Sequence, residues 1–498
     1  MGTDPKSTRG FIPDSGTGRA IISYAPSRFI EPLLGFLSLP VLTRILDVKE
    51  FGTFSIIILT ASMLRTIGFD WIANCALRFR VSMKDSVEEF FSNIFSGLFS
   101  SFTIAFLFIF LIRGITFTDS LLAVKLYIWW ILADALFSAS AFTGEMILRA
   151  DQNPRAFTLS RMFQGLSRHV FGVGALFLSG GNLQAYFLAR ITGTLLTALW
   201  SWHLVSSPRN FRFDALSWPT QRQFFIFGFP IALSIFANAL RVMGNRYAVL
   251  WLDGPEATGL YSAAANIGGA PILIFQQIVM LGLYPLAIKN WEDGISISPV
   301  VRDGLRYFLI IGIPALTGLA LLSRPIISFI AGPRYGEAWP VLSVIAGAMF
   351  VYGFSQYFSI QFLVEKRTWT MAAIGIAAGI VNLLLAILLI PYFGYPAAAF
   401  SLLASNLMLL AGLIFWGSGS LKDSIPARTL LNCVKATIPM GATIFAVLRF
   451  YPLDNPWALV GIVVLGLGIY ALVIWRTDEI SNEINYLRRK IQSGFKHR

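Results

Sequence analysis

Residues 372–391 read AAIGIAAGIVNLLLAILLIP: twenty positions without a charge and with a single amide, Asn382. As a helix the run rises about 30 Å, the thickness of a bilayer's hydrocarbon core. It lacks the polar–apolar alternation of a barrel strand, and helices and closed barrels are the two structures whose backbones are satisfied in lipid. It also lies within residues 368–421, 54 positions that hold no Asp, Glu, Lys or Arg. The rest of the chain is built alike. Its 498 residues are 56% hydrophobic and 13% charged, with a mean hydropathy of +0.67, which excludes an ordinary water-soluble domain.

Working outward from that run, apolar stretches separated by short polar breaks predict fourteen membrane helices. They cover residues 26–46, 51–76, 90–113, 121–148, 155–179, 183–204, 222–252, 257–288, 303–331, 338–364, 369–392, 395–417, 429–450 and 456–475. The class is an all-α integral membrane protein. Residues 1–25 carry Pro, Gly, Ser and charge with no signal-type apolar core, and read as a short cytoplasmic tail. Lys6 stands where a myristoylation signal carries Ser or Thr.

The chain has 39 Lys and Arg against 26 Asp and Glu, a net charge of +13. No basic stripe with interleaved aromatics lies outside the apolar segments, so nucleic acid is set aside. The two cysteines, Cys75 and Cys433, form no disulfide framework, and the three histidines are scattered, so no metal site and no cofactor are expected. Loop by loop, 27 basic residues fall on the side of the termini and 6 on the other. By the positive-inside rule both termini are cytoplasmic, in a multi-pass protein of the plasma (inner) membrane. The basic tail 477–498 repeats Ile480, Ile484, Leu487, Ile491 and Phe495 at helical spacing, the pattern of a surface-lying or solvated helix.

An internal repeat organises the spans. Leu46-Asp47-Val48-Lys49-Glu50-Phe51-Gly52-Thr53-Phe54-Ser55, between helices 1 and 2, is echoed by Leu252-Asp253-Gly254-Pro255-Glu256-Ala257-Thr258-Gly259-Leu260-Tyr261-Ser262, between helices 7 and 8. Gly181, Ala185 and Phe187 are echoed by Gly394, Ala398 and Phe400, again six helices on. An even spacing preserves orientation, so the halves are parallel repeats about an axis along the membrane normal. The expected organisation is an N-lobe of helices 1–6 (26–221), a C-lobe of helices 7–12 (222–421) and two added helices (422–476). Two such lobes are the architecture of an alternating-access transporter.

Six basic residues remain outside the loops: Arg65, Lys125, Arg168, Arg190, Arg241 and Arg246. Lys125 is placed at a helix end. Five lipid-facing arginines would cost about 12–18 kcal/mol, at about 2.5–3.5 each, so they must face protein or water. Helix 7 carries Ser234, Asn238, Arg241 and Asn245 on one face; helix 6 does the same with Arg190, Thr194, Thr197 and Ser201. Helix 5 offers Arg161, Gln164 and Arg168, helix 4 Asp134, Ser138 and Glu145, helix 1 Arg28, Glu31 and Ser38, and helix 2 Arg65 and Asp70. Arg65, Arg168, Arg190, Arg241, Arg246, Asn238 and Asn245 are therefore the candidate substrate-binding residues of a cationic cavity. Asp70, Asp134 and Glu145 either neutralise some of them or couple an ion. Five arginines against three deep acids leave an excess, and guanidinium groups suit bidentate phosphate recognition, so the expected substrate is an anion bearing phosphate.

Three stretches carry a family resemblance. Arg44 to Ser55 resembles the Arg, Leu, acidic, aromatic-Gly-aromatic pattern after the first helix of the prokaryotic polysaccharide (O-antigen type) flippases. Gly259-Leu260-Tyr261-Ser262-Ala263-Ala264 with Tyr284-Pro285 resembles the two ends of that family's helix 8. Asn382, Leu388-Leu389-Ile390-Pro391, Gly394 and Ala398-Ala399 resemble its turn between helices 11 and 12; Pro396-Ala397 departs from the glycine usual before the paired alanines. The resemblance covers most of residues 26–475. It implies a member of the multidrug/oligosaccharidyl-lipid/polysaccharide exporter superfamily that flips a polyprenyl-pyrophosphate-linked oligosaccharide from the cytoplasmic to the outer leaflet. Membrane lipid and the polysaccharide polymerase machinery are the implied partners. The rivals are a multidrug antiporter of the same superfamily and a polytopic glycosyltransferase or polymerase. An arginine-rich cavity disfavours cationic drugs, and short external loops disfavour an enzyme.

Overall fold

The computed structural model describes residues 15–113, 125–205, 212–417, 421, 424–451 and 455–477, except the side chains of residues 15–29, 213, 234, 237–238 and 240–242. Among the described residues every regular element is helical, as the apolar runs require. The α-helices are α1 (Ser15–Ile45), α2 (Val48–Gly68), α3 (Asp70–Phe79), α4 (Val87–Arg113), α5 (Ile128–Ala150), α6 (Pro154–Leu166), α7 (Gly172–Leu178) and α8 (Leu183–Leu204). They continue as α9 (Trp218–Glu292), α10 (Ser298–Leu321), α11 (Ser323–Ile330), α12 (Trp339–Val364), α13 (Thr368–Phe393), α14 (Pro396–Phe415), α15 (Ala427–Phe450) and α16 (Pro456–Trp475). The opening stretch 372–391 lies wholly within α13.

Several expected spans are interrupted. The second breaks at Phe69 into α2 and α3, and the ninth at Leu322 into α10 and α11. The fifth is α6 and α7 joined by a π-helical turn, Ser167–Phe171. The seventh and eighth form one element, α9, bent where Gly254 takes φ +90° and ψ 179°. α1 starts at Ser15, inside the stretch read as a tail. The tail helix expected after residue 477 lies outside the described residues.

Ten stretches among the described residues are long and apolar enough to cross a membrane, which makes this a multi-pass membrane protein; the expected count of fourteen goes beyond them. The ten omit the expected helices 1, 5 and 6, and they merge part of helix 7 with helix 8 in residues 243–292. The expected fifth helix is split by its π turn into pieces of 13 and 7 residues, each too short to cross a bilayer alone.

The chain divides into two compact units, Met1–Ser262 and Ala263–Arg498. Phe69, Phe90, Phe91, Leu132, Ile147 and Phe224 help form the core of the first, and Leu309, Cys433, Met440, Ile462 and Tyr470 that of the second. Within the first unit the repeated stretches explain themselves. Asp47 caps α2: its side chain accepts from the Glu50 amide at 2.6 Å, while the Glu50 side chain accepts from the Asp47 amide at 3.0 Å, a reciprocal capping box. Asp253 and Glu256 repeat the three-residue spacing at the bend of α9. The glycines that follow pack backbone on backbone. A methyl built on Gly52 would fall on the Pro255 carbonyl oxygen, and one built on Gly259 on the Val48 carbonyl oxygen. The exchange is reciprocal. In the second repeat, Gly181 and Gly394 both take positive φ, +100° and +67°, where a side chain would be strained.

Candidate functional site

In the first unit, charged side chains from seven elements converge. Along α5, Asp134, Ser138, Phe142 and Glu145 fall at steps of four, four and three, one helical face. Facing it are Glu31 of α1, Arg65 of α2, Asp70 of α3, Arg161 of α6, Arg168 of the π turn and Arg190 of α8. Arg190 meets Asp134 with two parallel hydrogen bonds, Nε to Oδ1 at 3.2 Å and Nη2 to Oδ2 at 3.3 Å. This fork-on-carboxylate pair is 10% and 7% exposed. Arg168 Nη1 donates to Glu31 Oε1 at 2.6 Å. Next to it, His169 Nδ1 lies 3.3 Å from Ser38 Oγ.

Arg65 and Arg161 are held differently. Arg65 Nη2 is 3.5 Å from Asp70 Oδ2; Arg161 Nε is 3.4 Å from Glu145 Oε2, and its Nη1 is 3.7 Å from Glu31 Oε2. At these lengths the attraction is Coulombic with little hydrogen bonding. Arg161 Nη1 also donates to Gln164 Oε1 at 2.9 Å, and Ser160 Oγ donates to Glu145 Oε1 at 3.1 Å. Both guanidinium groups lie over the Phe142 ring, at 5.4 and 5.3 Å from its centroid. They are also the most open arginines of the cluster, 21% and 23% exposed.

The structure thus brings together Arg65, Arg168, Arg190, Asp70, Asp134 and Glu145, and joins to them three residues outside the candidate set, two of which, Glu31 and Arg161, lay on the polar faces read from sequence. Glu31 enters from α1 and Arg161 from α6, where it had been tallied with the loop bases; the signal for it was its seven-residue spacing from Arg168. Phe142 carried no polar signal at all. Among the described residues, the ion-paired cluster holds four arginines and four carboxylates.

Other expected lining residues pack between helices. Thr194, Thr197 and Ser201 are fully buried on α8. Ser167 Oγ and Thr197 Oγ1 are 3.2 Å apart, and methyls on Gly193 and Gly144 would press on Ser167 and Ser201. Small and hydroxyl residues let the helices approach closely, the usual glue of membrane bundles. On α9, Asn245 is buried and donates to the Tyr261 hydroxyl at 3.4 Å, with Arg246 half-buried beside it. The next residue, Tyr247, reaches Thr60 Oγ1 on α2 at 2.7 Å. Asn238 and Arg241 lie on the same helix, with side chains outside the described residues.

A cavity of about 690 Å³ opens elsewhere, lined by Asp85, Glu88, Glu89 and Asp214 among others. Among the described residues its lining holds four carboxylates and no base, which suits it poorly to an anion. At its edge Arg212 donates to Asp214 from Nε and Nη2, at 3.1 and 2.7 Å, which holds the exposed Asp214 carboxyl below its usual range. Among the described residues, no group of three or more His, Cys, Asp or Glu side chains is placed to hold a metal ion.

Comparison with known proteins sets this geometry in a family. Residues 17–291 match the model of the polysaccharide biosynthesis protein family. A 129-residue segment is 28% identical to the teichuronic acid biosynthesis protein TuaB of Bacillus subtilis, 25% of this chain and 26% of that protein, so the chain spans about a quarter of the relative's length. The fold is similar to that of the lipid II flippase MurJ in an inward closed conformation, with a TM-score of 0.74 at 14% identity over 93% of this chain and 100% of that one. It is also similar to an inward-facing multidrug resistance MATE family transporter of the MOP superfamily, with a TM-score of 0.59 at 12% identity over 81% and 98% of the two chains. These solved neighbours are membrane transporters and not enzymes. The family match spans more than half of the residues, and the chain belongs to the polysaccharide biosynthesis protein family.

Proposed function

We propose that the protein translocates a polyprenyl-(pyro)phosphate-linked oligosaccharide from the cytoplasmic to the outer leaflet of the plasma membrane, by alternating access, in surface polysaccharide biosynthesis. One observation carries the reading: a cluster of guanidinium groups lies within the membrane-spanning part of a chain of the polysaccharide biosynthesis family. Guanidinium recognises phosphate bidentately, and a glycan carrier presents phosphates at the membrane. Arg65 and Arg161, open and loosely paired, meet the phosphates. Arg246 and Asn245, and by sequence spacing Asn238 and Arg241, extend the site along α9. Arg168 and Arg190, closely paired, hold its walls.

The N-lobe of residues 26–221 and the C-lobe of 222–421 rock about the substrate while the polyprenyl chain stays in lipid. Both termini lie in the cytoplasm, as the basic loops imply. Outward movement of two negative charges is favoured by a cell-negative potential at about 2.3 kcal/mol per charge per 100 mV. The product is handed to polymerase machinery at the outer face. A multidrug antiporter needs carboxylates offered to cations, whereas all four here face arginines. The test is export of surface glycan by an Arg65→Ala/Arg161→Ala/Arg246→Ala variant at matched protein level. Wild-type export by that variant would refute the phosphate cradle.

A further inference from the structure

Gly165, His169 and Gly172 follow one another at steps of four and three, so on an unbroken α-helix they share a face. Here they do not. A methyl on Gly165 would meet Leu34 Cδ1 and Glu31 Cα of α1, at 3.4 and 3.6 Å, and His169 lies against Gly35 and Ser38 of the same helix. A methyl on Gly172 would instead strike the Tyr186 ring of α8, at 2.7 Å. The π turn at Ser167–Phe171 lies between these glycines, and its extra residue supplies the slip. Neighbours hold the turn from two sides. Arg168 donates to Glu31 at 2.6 Å, and Ser167 Oγ is 3.2 Å from Thr197 Oγ1. Tyr186, seated against Gly172, accepts from Arg190 one turn further along α8, and Arg190 is forked onto Asp134. Both closely paired arginines of the cluster thus touch one turn, directly or through a single side chain.

We propose that this π turn is a register switch: with an anion at Arg65 and Arg161 it converts to α-helix, α7 turns relative to α6, and Arg168 leaves Glu31. The inference rests on the function proposed above and adds the element that moves. A phosphate at Arg161 puts negative charge beside Glu31, which reaches that guanidinium at 3.7 Å, and so weakens the hold of α1 on the turn. π turns are rare inside α-helices, and an uncommon backbone conformation persists where its surroundings hold it. The residue released is taken up just beyond α7, where Gly180 and Gly181 stand at φ +67° and +100° and a methyl on Gly180 would meet nothing within 4 Å. Glycines adopt new φ and ψ there at little steric cost. One residue of register is about 100° of rotation and about 1.5 Å of rise. The motion takes Gly172 off Tyr186 and so reaches the Arg190–Asp134 pair as well.

The test places spin labels on the purified full-length protein, whose native cysteines are both buried. Phe177→Cys lies on α7 beyond the turn and Leu159→Cys on α6 before it. Each is an exposed position, measured by double electron–electron resonance against an exposed position on α8, Leu199→Cys for the first and Leu188→Cys for the second. A side-chain tip about 5–6 Å from the helix axis travels about 8 Å in a rotation of about 100°. Saturating citronellyl diphosphate, its binding followed by calorimetry, should therefore shift the 177–199 distance by about 5 Å and leave the 159–188 distance unchanged. Deleting Val170, an exposed residue of the turn, should give the shifted 177–199 distance with no ligand. Equal shifts of both pairs, or bound ligand with neither pair moving, would overturn the switch and leave the transport reading intact. A folded Val170 deletion that keeps the ligand-free distance would overturn it too, and the two label pairs decide by themselves if that variant does not fold. No binding of the diphosphate would overturn both readings.

Discussion

The Asp134–Arg190 pair offers the sharpest test of which arginines build the site and which touch its guest. Both side chains are nine-tenths buried and joined by hydrogen bonds of 3.2 and 3.3 Å. Asp134→Asn leaves a guanidinium without its counter-charge, and Arg190→Gln leaves a carboxylate likewise. Each is expected to cost about 3–5 kcal/mol of folding stability. In the double variant the two amides can bond each other with no net charge to desolvate. Its cost should fall short of the sum of the single costs by about 2 kcal/mol or more, since contacting residues couple where distant ones add to within about 0.5 kcal/mol. The assay is reversible denaturant unfolding in mixed micelles for all four proteins, with surface-glycan export measured in parallel. Additive single costs would refute the pair as a structural element. A double variant that folds normally but exports nothing would refute the placement of Arg190 in the wall and return it to the substrate.

Three further outcomes follow from other parts of the molecule. Gly259→Ala puts a methyl on the Val48 carbonyl oxygen and should cost about 1–3 kcal/mol by unfolding, whereas Gly375→Ala, which meets open space, should cost nothing; equal effects would dismiss the close backbone contact. Phe142→Leu removes the ring under two guanidinium groups and should raise the transport KM about tenfold, while Phe142→Trp preserves function; a Leu variant with unchanged KM would show that the ring positions nothing. With both native cysteines buried, Arg334→Cys should react with an impermeant maleimide on intact cells and Glu292→Cys only after permeabilisation, and the reverse pattern would invert the proposed topology.

Much of the fold was legible in one dimension. The apolar runs located helices such as α16, expected at residues 456–475 and observed at Pro456–Trp475, because hydropathy over a bilayer's thickness is a local property. The repeated Leu-Asp-x-x-Glu was legible as a signal, and the capping box at Asp47 and Glu50 supplies its chemistry. The breaks at Phe69 and Leu322 went unread although Gly68 and Asp70 flank the first and Ser323-Arg324-Pro325 follow the second, because the apolar runs resume within a turn. The π turn at Ser167–Phe171, whose extra residue shifts the face that Arg168 and His169 present, was not legible.

The sequence by itself determined that this chain crosses a membrane many times as helices, that its bases favour one side, and that arginines recur on the faces of a few helices. Each follows from residue type and spacing along the chain, because the solvent acts on every segment separately. Only the tertiary structure decided which charges meet. Glu31 reaches Arg168 across 137 residues and Asp134 reaches Arg190 across 56, and no local rule links such positions. The packing of α1 against α6 and the π turn, and of α5 against α8, selects the partners. These contacts assemble ion pairs that residue counts alone leave unassigned.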